Sequence, residues 1–191
     1  MFLNYIVFMK KILFLGYDSN KTRLIKFLKQ KKYKVFEYKN KLLTKKIVSK
    51  FDHVISFGYR KKISIDCIKE SENPIINLHL SYLPYNKGAH PNYWSFIEKT
   101  NKGVSIHEID GKIDEGKLIL RKKITFKNYK KLTFRKSYEI LIYEIENLFI
   151  KNYKNILNNR CKEIKILQRG SFHYKKDLPK NFSNWNQEIK K

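Results

Sequence analysis

Short apolar runs that end in glycine alternate with amphipathic helical segments in the first part of this chain. Residues 12–16 read Ile-Leu-Phe-Leu-Gly and residues 54–58 read Val-Ile-Ser-Phe-Gly. Such a run is typical of a strand buried on both faces of a parallel sheet. Between the two runs, Leu24, Phe27 and Leu28 share one helical face. The alternation predicts an α/β fold with a mostly parallel central sheet and helices on both faces.

The rest of the chain continues this alternation. Further strands are predicted over 33–38, 75–79, 104–109 and 118–126, and helices over 42–48, 92–99 and 133–153. The last helix carries an apolar stripe at i, i+4, i+7 and i+8, which predicts a surface that faces the core. The stripe consists of Leu141, Ile145, Leu148 and Phe149. We expect one domain over residues 1–180, with residues 1–8 peripheral and residues 181–191 forming a loose basic tail.

The chain is strongly basic, with 42 Lys and Arg against 17 Asp and Glu and a formal net charge of +25. Hydrophobic residues make up 42% of it, which is enough for a folded core and excludes a disordered basic tail. Only six of the basic residues are arginine, whereas dedicated nucleic-acid readers rely on the bidentate guanidinium. We therefore interpret most of the charge as solvated surface.

Several function classes lack their signatures in this sequence. The two cysteines, Cys67 and Cys161, form no CxxC pair, so neither a disulfide framework nor a metal site is predicted. The apolar stretch over residues 1–8 is too short for a membrane span and is not followed by a cleavage site, so a cytoplasmic protein is expected. Neither a dinucleotide-binding G-x-G-x-x-G motif nor a P-loop is present.

Asn77 and His79 lie two residues apart at the end of a predicted strand, so their side chains project from the same face. The reactive crevice of an open α/β sheet lies beyond the carboxyl ends of its strands. An amide donor next to an imidazole can stabilise an oxyanion and transfer a proton. Farther along the chain, Asp114 lies in a turn between Gly111 and Gly116, from which a carboxylate can fold back towards a histidine.

These residues carry a resemblance to the folate-dependent formyltransferases. Residues 77–88, NLHLSYLPYNKG, are similar to that family's N-x-H-x-S-x-L-P-x-x-[KR]-G signature. Residues 103–110, GVSIHEID, followed by IDEG at 113–116, resemble two further family segments. The three motifs occur in the family's order, and the resemblance covers residues 10–126. It implies a Rossmann-like formyltransferase fold.

The resemblance also implies the catalytic residues and the formyl donor. Asn77, His79 and Asp114 match the family's catalytic trio, and N10-formyltetrahydrofolate is the implied donor. Asn77 and His79 hold the oxyanion, His79 or a bound water transfers the proton of the attacking amine, and Asp114 orients His79 or raises its pKa. The positions implied for donor binding are Gly58, Tyr59, Arg60, Ile63, Ile109, Asp110 and Asp114. His107 also matches a family position, but we interpret it as a core histidine.

The acceptor implied by the resemblance is an amino sugar, nucleotide-linked, in surface polysaccharide biosynthesis. The aromatic-rich segment 81–94 is similar to that of short, sugar-directed formyltransferases. Its candidate acceptor-binding residues are Lys87, His90, Tyr93 and Trp94. Leu80 and Glu115 depart from the common family pattern, where proline and a small residue are usual.

Two other functions remain open from the sequence. The first is a compact methionyl-tRNA formyltransferase, for which the net charge of +25 is favourable. The second, from a different class, is a non-enzymatic basic RNA-binding module. The sequence names neither the ring position of the acceptor amine nor the nucleotide carrier, and it leaves open whether the protein forms a homodimer.

Overall fold

The computed structural model describes residues 9–39, 41–127 and 131–189. The chain divides into two compact units, Met1–Ile75 and Ile76–Lys191. In the first unit three parallel strands pair in the order β2-β1-β3. The strands are β1 (Lys11–Gly16), β2 (Lys34–Tyr38) and β3 (His53–Phe57), and the helices are α1 (Leu24–Gln30), α2 (Lys45–Val48) and α3 (Ile65–Glu70).

Burial explains why the two glycine-terminated runs of the first unit form strands. All five residues of β3 and the four central residues of β1 are buried, so none of these side chains faces solvent. A strand covered on both faces therefore has a mostly apolar sequence. The predicted helix between them is α1, which buries Leu24, Ile25 and Leu28. Helix α3 was not predicted, because its only strong local signal is the cap Ser64, whose hydroxyl accepts the Cys67 N–H at 3.3 Å.

The second unit contains three antiparallel strands in the order β4-β6-β7 and a separate parallel pair, β5-β8. The α/β fold with a mixed, mostly parallel sheet is confirmed. Strands β6 and β7 run antiparallel because the turn that joins them is too short for a parallel crossover. The elements of this unit are β4 (Ile76–His79), β5 (Lys87–Gly88), α4 (Pro91–Ile97), β6 (Gly103–Glu108), β7 (Leu118–Lys123), α5 (Phe134–Leu157), β8 (Phe172–His173) and a 3-10 turn (Lys175–Asp177).

Helix α5 is the longest element, and its predicted stripe faces the core. Leu141, Ile145 and Phe149 are buried, and Leu148 is half-buried. The helix begins after Thr133, whose hydroxyl accepts the backbone N–H of Lys136 at 3.1 Å. Within the described residues, α5 and every other helix fall short of the length and apolar character that crossing a bilayer requires.

Residues 181–189 pack within the second unit, whereas the sequence predicts a loose tail over 181–191, of which residues 190 and 191 lie outside the described residues. Ile189 is 1% exposed, and its N–H donates to the Leu132 carbonyl at 2.9 Å. Phe182 and Trp185 pack against an aromatic cluster that contains Phe134. In the sequence these apolar residues are separated by polar and charged ones, so the composition of the segment does not reveal that they are buried together.

Candidate active site

The segment that follows β4 is folded back by hydrogen bonds to the neighbouring strands. The Ser105 hydroxyl, on β6, accepts the Leu83 N–H at 3.0 Å and donates to the Ser81 carbonyl at 2.7 Å. The Arg121 guanidinium, on β7, donates to the Leu83 carbonyl at 2.8 Å. The Leu83–Pro84 peptide is cis. These contacts hold the segment beside the end of β4, where Asn77 and His79 lie.

Asn77, His79 and Asp114, the trio that the family resemblance implies, converge in the second unit. The Asp114 Oδ1 lies 3.6 Å from His79 Nδ1 and accepts a hydrogen bond from Asn77 Nδ2 at 3.3 Å. The side chains of His79 and Asp114 are 9% and 10% exposed. Asp114 has a φ of 53°, a left-handed conformation that aspartate tolerates better than most residues. The turn between β6 and β7 thereby directs this carboxylate at the end of β4.

His107 is a fourth member of this cluster. It pairs across the strands with Asn77, and its Nε2 lies 3.0 Å from Asn77 Nδ2 and 3.3 Å from Asp114 Oδ1. Its Nδ1–H donates to the Glu108 carbonyl at 2.8 Å, so in the neutral ring Nε2 accepts from the Asn77 amide. The sequence predicts a core histidine here, and the 1% exposure of His107 agrees with that. The prediction did not include the contacts with Asn77 and Asp114. They depend on strand register, which no local sequence pattern reveals.

The surroundings of the cluster favour an ionised Asp114 and a neutral His79. Burial by itself raises the pKa of Asp114, but His79, His107 and the Gly88 N–H outweigh it, so this pKa lies well below its usual value. Burial lowers the pKa of His79, and the Asp114 carboxylate partly opposes this. Asp114 is therefore ionised at neutral pH, and His79 can be neutral beside it. A neutral imidazole next to a fixed carboxylate suits a general base.

The second oxygen of Asp114 is held by the loop that carries β5. The Gly88 N–H donates to Asp114 Oδ2 at 2.8 Å. Gly88 has a φ of 85°, and a Cβ there would overlap the His173 carbonyl, so only glycine fits. Beside it, Lys87 Nζ and Glu115 Oε1 form an ion pair at 2.5 Å. The same two loops are therefore tied together by a backbone hydrogen bond and by an ion pair.

The four residues expected to bind the acceptor occupy different environments. Lys87 is paired with Glu115, and His90, at a φ of 55°, precedes α4 with its ring 5.3 Å from that of Trp185. The Tyr93 side chain is 6% exposed and belongs to the aromatic core cluster, so its ring serves packing. Trp94 is half-buried, and its ring stacks on the imidazole of His173.

The residues expected to bind the donor are divided between the two units. Gly58, Tyr59, Arg60 and Ile63 follow β3 in the first unit, whereas Ile109, Asp110 and Asp114 lie in the second. The Tyr59 hydroxyl donates to the Lys41 carbonyl at 2.6 Å and accepts the Leu43 N–H at 3.1 Å, so it fixes a loop. The Asp110 carboxylate accepts the Lys112 N–H at 3.0 Å inside the turn that leads to Asp114. Donor binding by these residues stays a prediction.

Residues 10–136 match the sequence profile of the formyl transferase family. The match covers more than half of the chain and contains Asn77, His79, His107 and Asp114. This protein belongs to the formyl transferase family, and the resemblance drawn from its motifs is confirmed.

Individual relatives include proteins named for sugar modification. The bifunctional polymyxin resistance protein ArnA of Wigglesworthia glossinidia brevipalpis is 34% identical over 139 residues, which are 71% of this chain and 21% of that protein. A dTDP-4-amino-4,6-dideoxyglucose formyltransferase of Mycobacterium bovis is 31% identical over 83 residues, which are 44% of this chain and 35% of that protein. The chain thus spans only about a fifth to a third of these two curated relatives.

One solved structure matches over nearly its whole length. It is the formyltransferase PseJ from Anoxybacillus kamchatkensis in complex with UDP-4,6-dideoxy-4-formamido-L-AltNAc and tetrahydrofolate. The two chains are 38% identical, with a TM-score of 0.85, and the match covers 94% of this chain and 95% of that one. Its size and fold therefore correspond closely to those of the chain described here.

Proposed function

We propose that this protein is an N-formyltransferase that moves a formyl group from N10-formyltetrahydrofolate to the primary amine of a nucleotide-linked amino sugar. The observation that carries the proposal is the buried cluster of Asn77, His79 and Asp114, within a chain 38% identical to PseJ. That enzyme was solved with a UDP-linked formamido sugar and tetrahydrofolate. We further propose a role in surface polysaccharide biosynthesis and a cytoplasmic location.

The reaction exchanges one carbon–nitrogen bond for another. The acceptor nitrogen forms a bond to the formyl carbon, the bond from that carbon to N10 breaks, and one proton leaves the acceptor nitrogen for the departing N10. His79 Nδ1 accepts that proton, and the Asp114 carboxylate at 3.6 Å stabilises the imidazolium that results. The shared burial of the two side chains strengthens this attraction, because little water screens it.

Asn77 stabilises the oxyanion of the tetrahedral intermediate. Its amide N–H is directed at Asp114 Oδ1 over 3.3 Å, which is long for such a hydrogen bond. The amide exchanges this contact for the negative oxygen as charge develops there. His107 Nε2, at 3.0 Å, keeps the amide oriented during the exchange.

Three residues of the segment 84–94 are proposed to bind the acceptor, namely Lys87, His90 and Trp94. Lys87 is a suitable partner for the anionic carrier of a nucleotide sugar, and its pairing with Glu115 keeps it beside the cluster. We further propose that the protein forms a homodimer, and light scattering tests this by measuring the molar mass in solution.

The decisive experiment supplies purified protein with N10-formyltetrahydrofolate and a panel of UDP-linked and dTDP-linked amino sugars. We expect release of tetrahydrofolate and a formylated sugar in mass spectrometry, and neither with the His79→Ala variant. Methionyl-tRNA serves as the competing acceptor. Formylation of methionyl-tRNA alone would overturn the sugar assignment, and salt-sensitive RNA binding without any transfer would overturn the enzymatic one.

A further inference from the structure

The two ring nitrogens of His79 face different chemical groups. Nε2 lies 3.3 Å from the Asn86 carbonyl, and Nδ1 lies 3.6 Å from the Asp114 carboxylate. A carbonyl and a carboxylate both only accept hydrogen bonds, but only the contact to the carbonyl lies within hydrogen-bond length, so the geometry favours a hydrogen on Nε2. In the neutral ring, Nδ1 is then the nitrogen that can take up a proton. The Asn86 carbonyl thus favours the Nε2–H tautomer of His79.

The position of this carbonyl depends on contacts of the Asn86 side chain and backbone. Asn86 is fully buried and has a φ of 56°, a left-handed conformation that asparagine tolerates better than most residues. Its Nδ2 donates to Glu98 Oε2 at 3.0 Å, and its Oδ1 accepts from the Thr100 hydroxyl at 2.8 Å. Its backbone N–H donates to the Ser171 hydroxyl at 3.0 Å.

Glu98 connects Asn86 to the C-terminal part of the chain. It follows the last residue of α4, and its Oε2 also accepts the Ser171 hydroxyl at 3.0 Å. Its Oε1 lies 2.9 Å from His173 Nε2, and the His173 ring stacks on Trp94 with centroids 4.0 Å apart. One carboxylate therefore joins the loop before β5, the end of α4 and the strand β8.

Backbone hydrogen bonds attach β8 to the same loop. The Lys87 N–H donates to the Ser171 carbonyl at 2.9 Å, and the Ala89 N–H donates to the His173 carbonyl at 2.8 Å. Between these two lies Gly88, whose N–H holds Asp114. The groups that orient His79 and Asp114 therefore come from one short turn, and β8 fixes that turn.

We propose that Glu98 and Ser171 are positioning residues that act through Asn86 to hold His79 in its Nε2–H tautomer. Strand β8 thereby determines which nitrogen of His79 accepts the proton. The charged and titratable groups that face His79 are Asp114 from the turn and His107 from β6. The inference rests on the proposed function for the use of this proton acceptor, whereas the tautomer is a property of the free protein.

The tautomer is measured directly by two-bond ¹H–¹⁵N correlation NMR of the imidazole rings, with His79→Gln used to assign the signals. We expect the Nε2–H form in the wild type, and a mixture of both forms in Ser171→Ala. Ser171→Thr keeps the hydroxyl and should restore the single form. Ser183→Ala removes a hydroxyl from the same part of the chain, where it contacts Gln187, and should change nothing. An unchanged tautomer in Ser171→Ala would overturn the proposal.

Kinetics provide the second readout. Loss of one orienting hydrogen bond should lower kcat about tenfold with little change in KM. The Asn86 carbonyl raises the pKa of His79, so the acid limb of the kcat profile should move to lower pH in Ser171→Ala. A merely structural defect would lower the amount of active enzyme and leave the limb in place, which would contradict the proposal.

A second variant protects the test against misfolding. Glu98→Gln preserves the size of the side chain and removes its charge, and the same tautomer mixture and the same shift are expected. If the wild type transfers no formyl group to any acceptor, the proposed function fails, whereas the NMR comparison still decides the role of Ser171 and Glu98.

Discussion

Asp114 lies where two imidazoles, an amide and a backbone N–H meet. Its Oδ1 faces His79, His107 and Asn77, and its Oδ2 accepts from Gly88. Burial of an isolated carboxylate would favour its neutral form, so these partners are what keep it charged. At the scale of single residues, the chemistry of the site therefore depends on this one negative charge.

Replacing Asp114 with asparagine tests this dependence. The Asp114→Asn variant keeps a carbonyl oxygen for the Gly88 N–H but removes the charge that favours protonated His79. We expect kcat to fall by about 10²–10⁴-fold, the usual contribution of general-base catalysis, because His79 loses its charged partner, and we expect donor binding to remain measurable. Steady-state turnover and tetrahydrofolate titration measure the two effects. Asp66→Asn, on the exposed side of α3, is the matched control, and near-normal turnover of Asp114→Asn would contradict the assignment.

His53 predicts a pH dependence of stability that is separate from catalysis. Burial, with a smaller effect from Lys10, lowers its pKa from 6.5 to about 4, and within the described residues its Nε2 has no hydrogen-bond partner. The unfolded chain binds a proton between these pKa values and the folded chain does not, so stability falls as pH falls from 6.5 to 4. The loss between pH 7 and pH 5 should be about 2 kcal/mol.

Urea unfolding at the two pH values measures this loss. The His53→Phe variant cannot take up the proton, so its stability should depend less on pH by the same amount. An equal pH dependence in the wild type and in His53→Phe would show that another group is responsible.

At the scale of elements, helices α4 and α5 are joined by a buried polar contact. Asn92, 5% exposed, donates from Nδ2 to the Phe134 carbonyl and to the Ser137 hydroxyl, both at 2.9 Å. Its neighbours Tyr93 and Phe96 pack in the aromatic cluster against Phe134. Since Glu98 directly follows α4, this contact also supports the residue that holds Asn86.

Asn92→Ala should therefore destabilise the protein strongly. It removes the buried hydrogen bonds of the Asn92 side chain, each worth about 0.5–1.5 kcal/mol, and leaves a void between the helices, although the Ser137 hydroxyl still donates to the Phe134 carbonyl at 3.0 Å. We expect a loss of about 2–4 kcal/mol in the free energy of unfolding, measured by urea denaturation. Asn152→Ala, which removes a half-buried hydrogen bond within α5, is the control and should cost less than half as much. Equal losses would contradict a special role for the contact between the helices.

At the scale of the whole molecule, the basic residues that give the net charge of +25 lie outside the catalytic cluster. The cluster of Asn77, His79, His107 and Asp114 contains no lysine, and the nearby Lys87 is paired with Glu115. Most of the 42 basic residues thus have no place in the proposed chemistry.

The second unit is completed by residues 182–189, whose apolar side chains cover the aromatic cluster.

Deletion of residues 181–191 should accordingly lower stability. It removes the buried Ile189 and the half-buried Phe182 and Trp185, and burying each such side chain contributes about 1.5–3 kcal/mol. We expect a fall in Tm of more than about 10 °C and exposure of apolar surface to a fluorescent dye. A shorter deletion that removes only residues 190 and 191 is the control. An unchanged Tm after the long deletion would support the loose tail that the sequence predicts.

The sequence alone determined the elements and the linear motifs of this protein. Buried strands and core-facing helices leave a local periodicity, so β1, β3 and the stripe of α5 were predictable within a few residues. The resemblance of the linear motifs to those of the formyltransferases implies Asn77, His79 and Asp114 as the catalytic trio. These features are encoded by neighbours along the chain, and each can be recognised from a few consecutive residues.

The tertiary structure alone decided which other residues surround the trio. His107 joins Asn77 from 30 residues away through strand register, and Ser171 reaches Asn86 from 85 residues away. The packing of residues 182–189 has the same origin. Hydrogen bonds and burial between distant segments depend on how whole strands and helices pair, so no local pattern in the sequence specifies them.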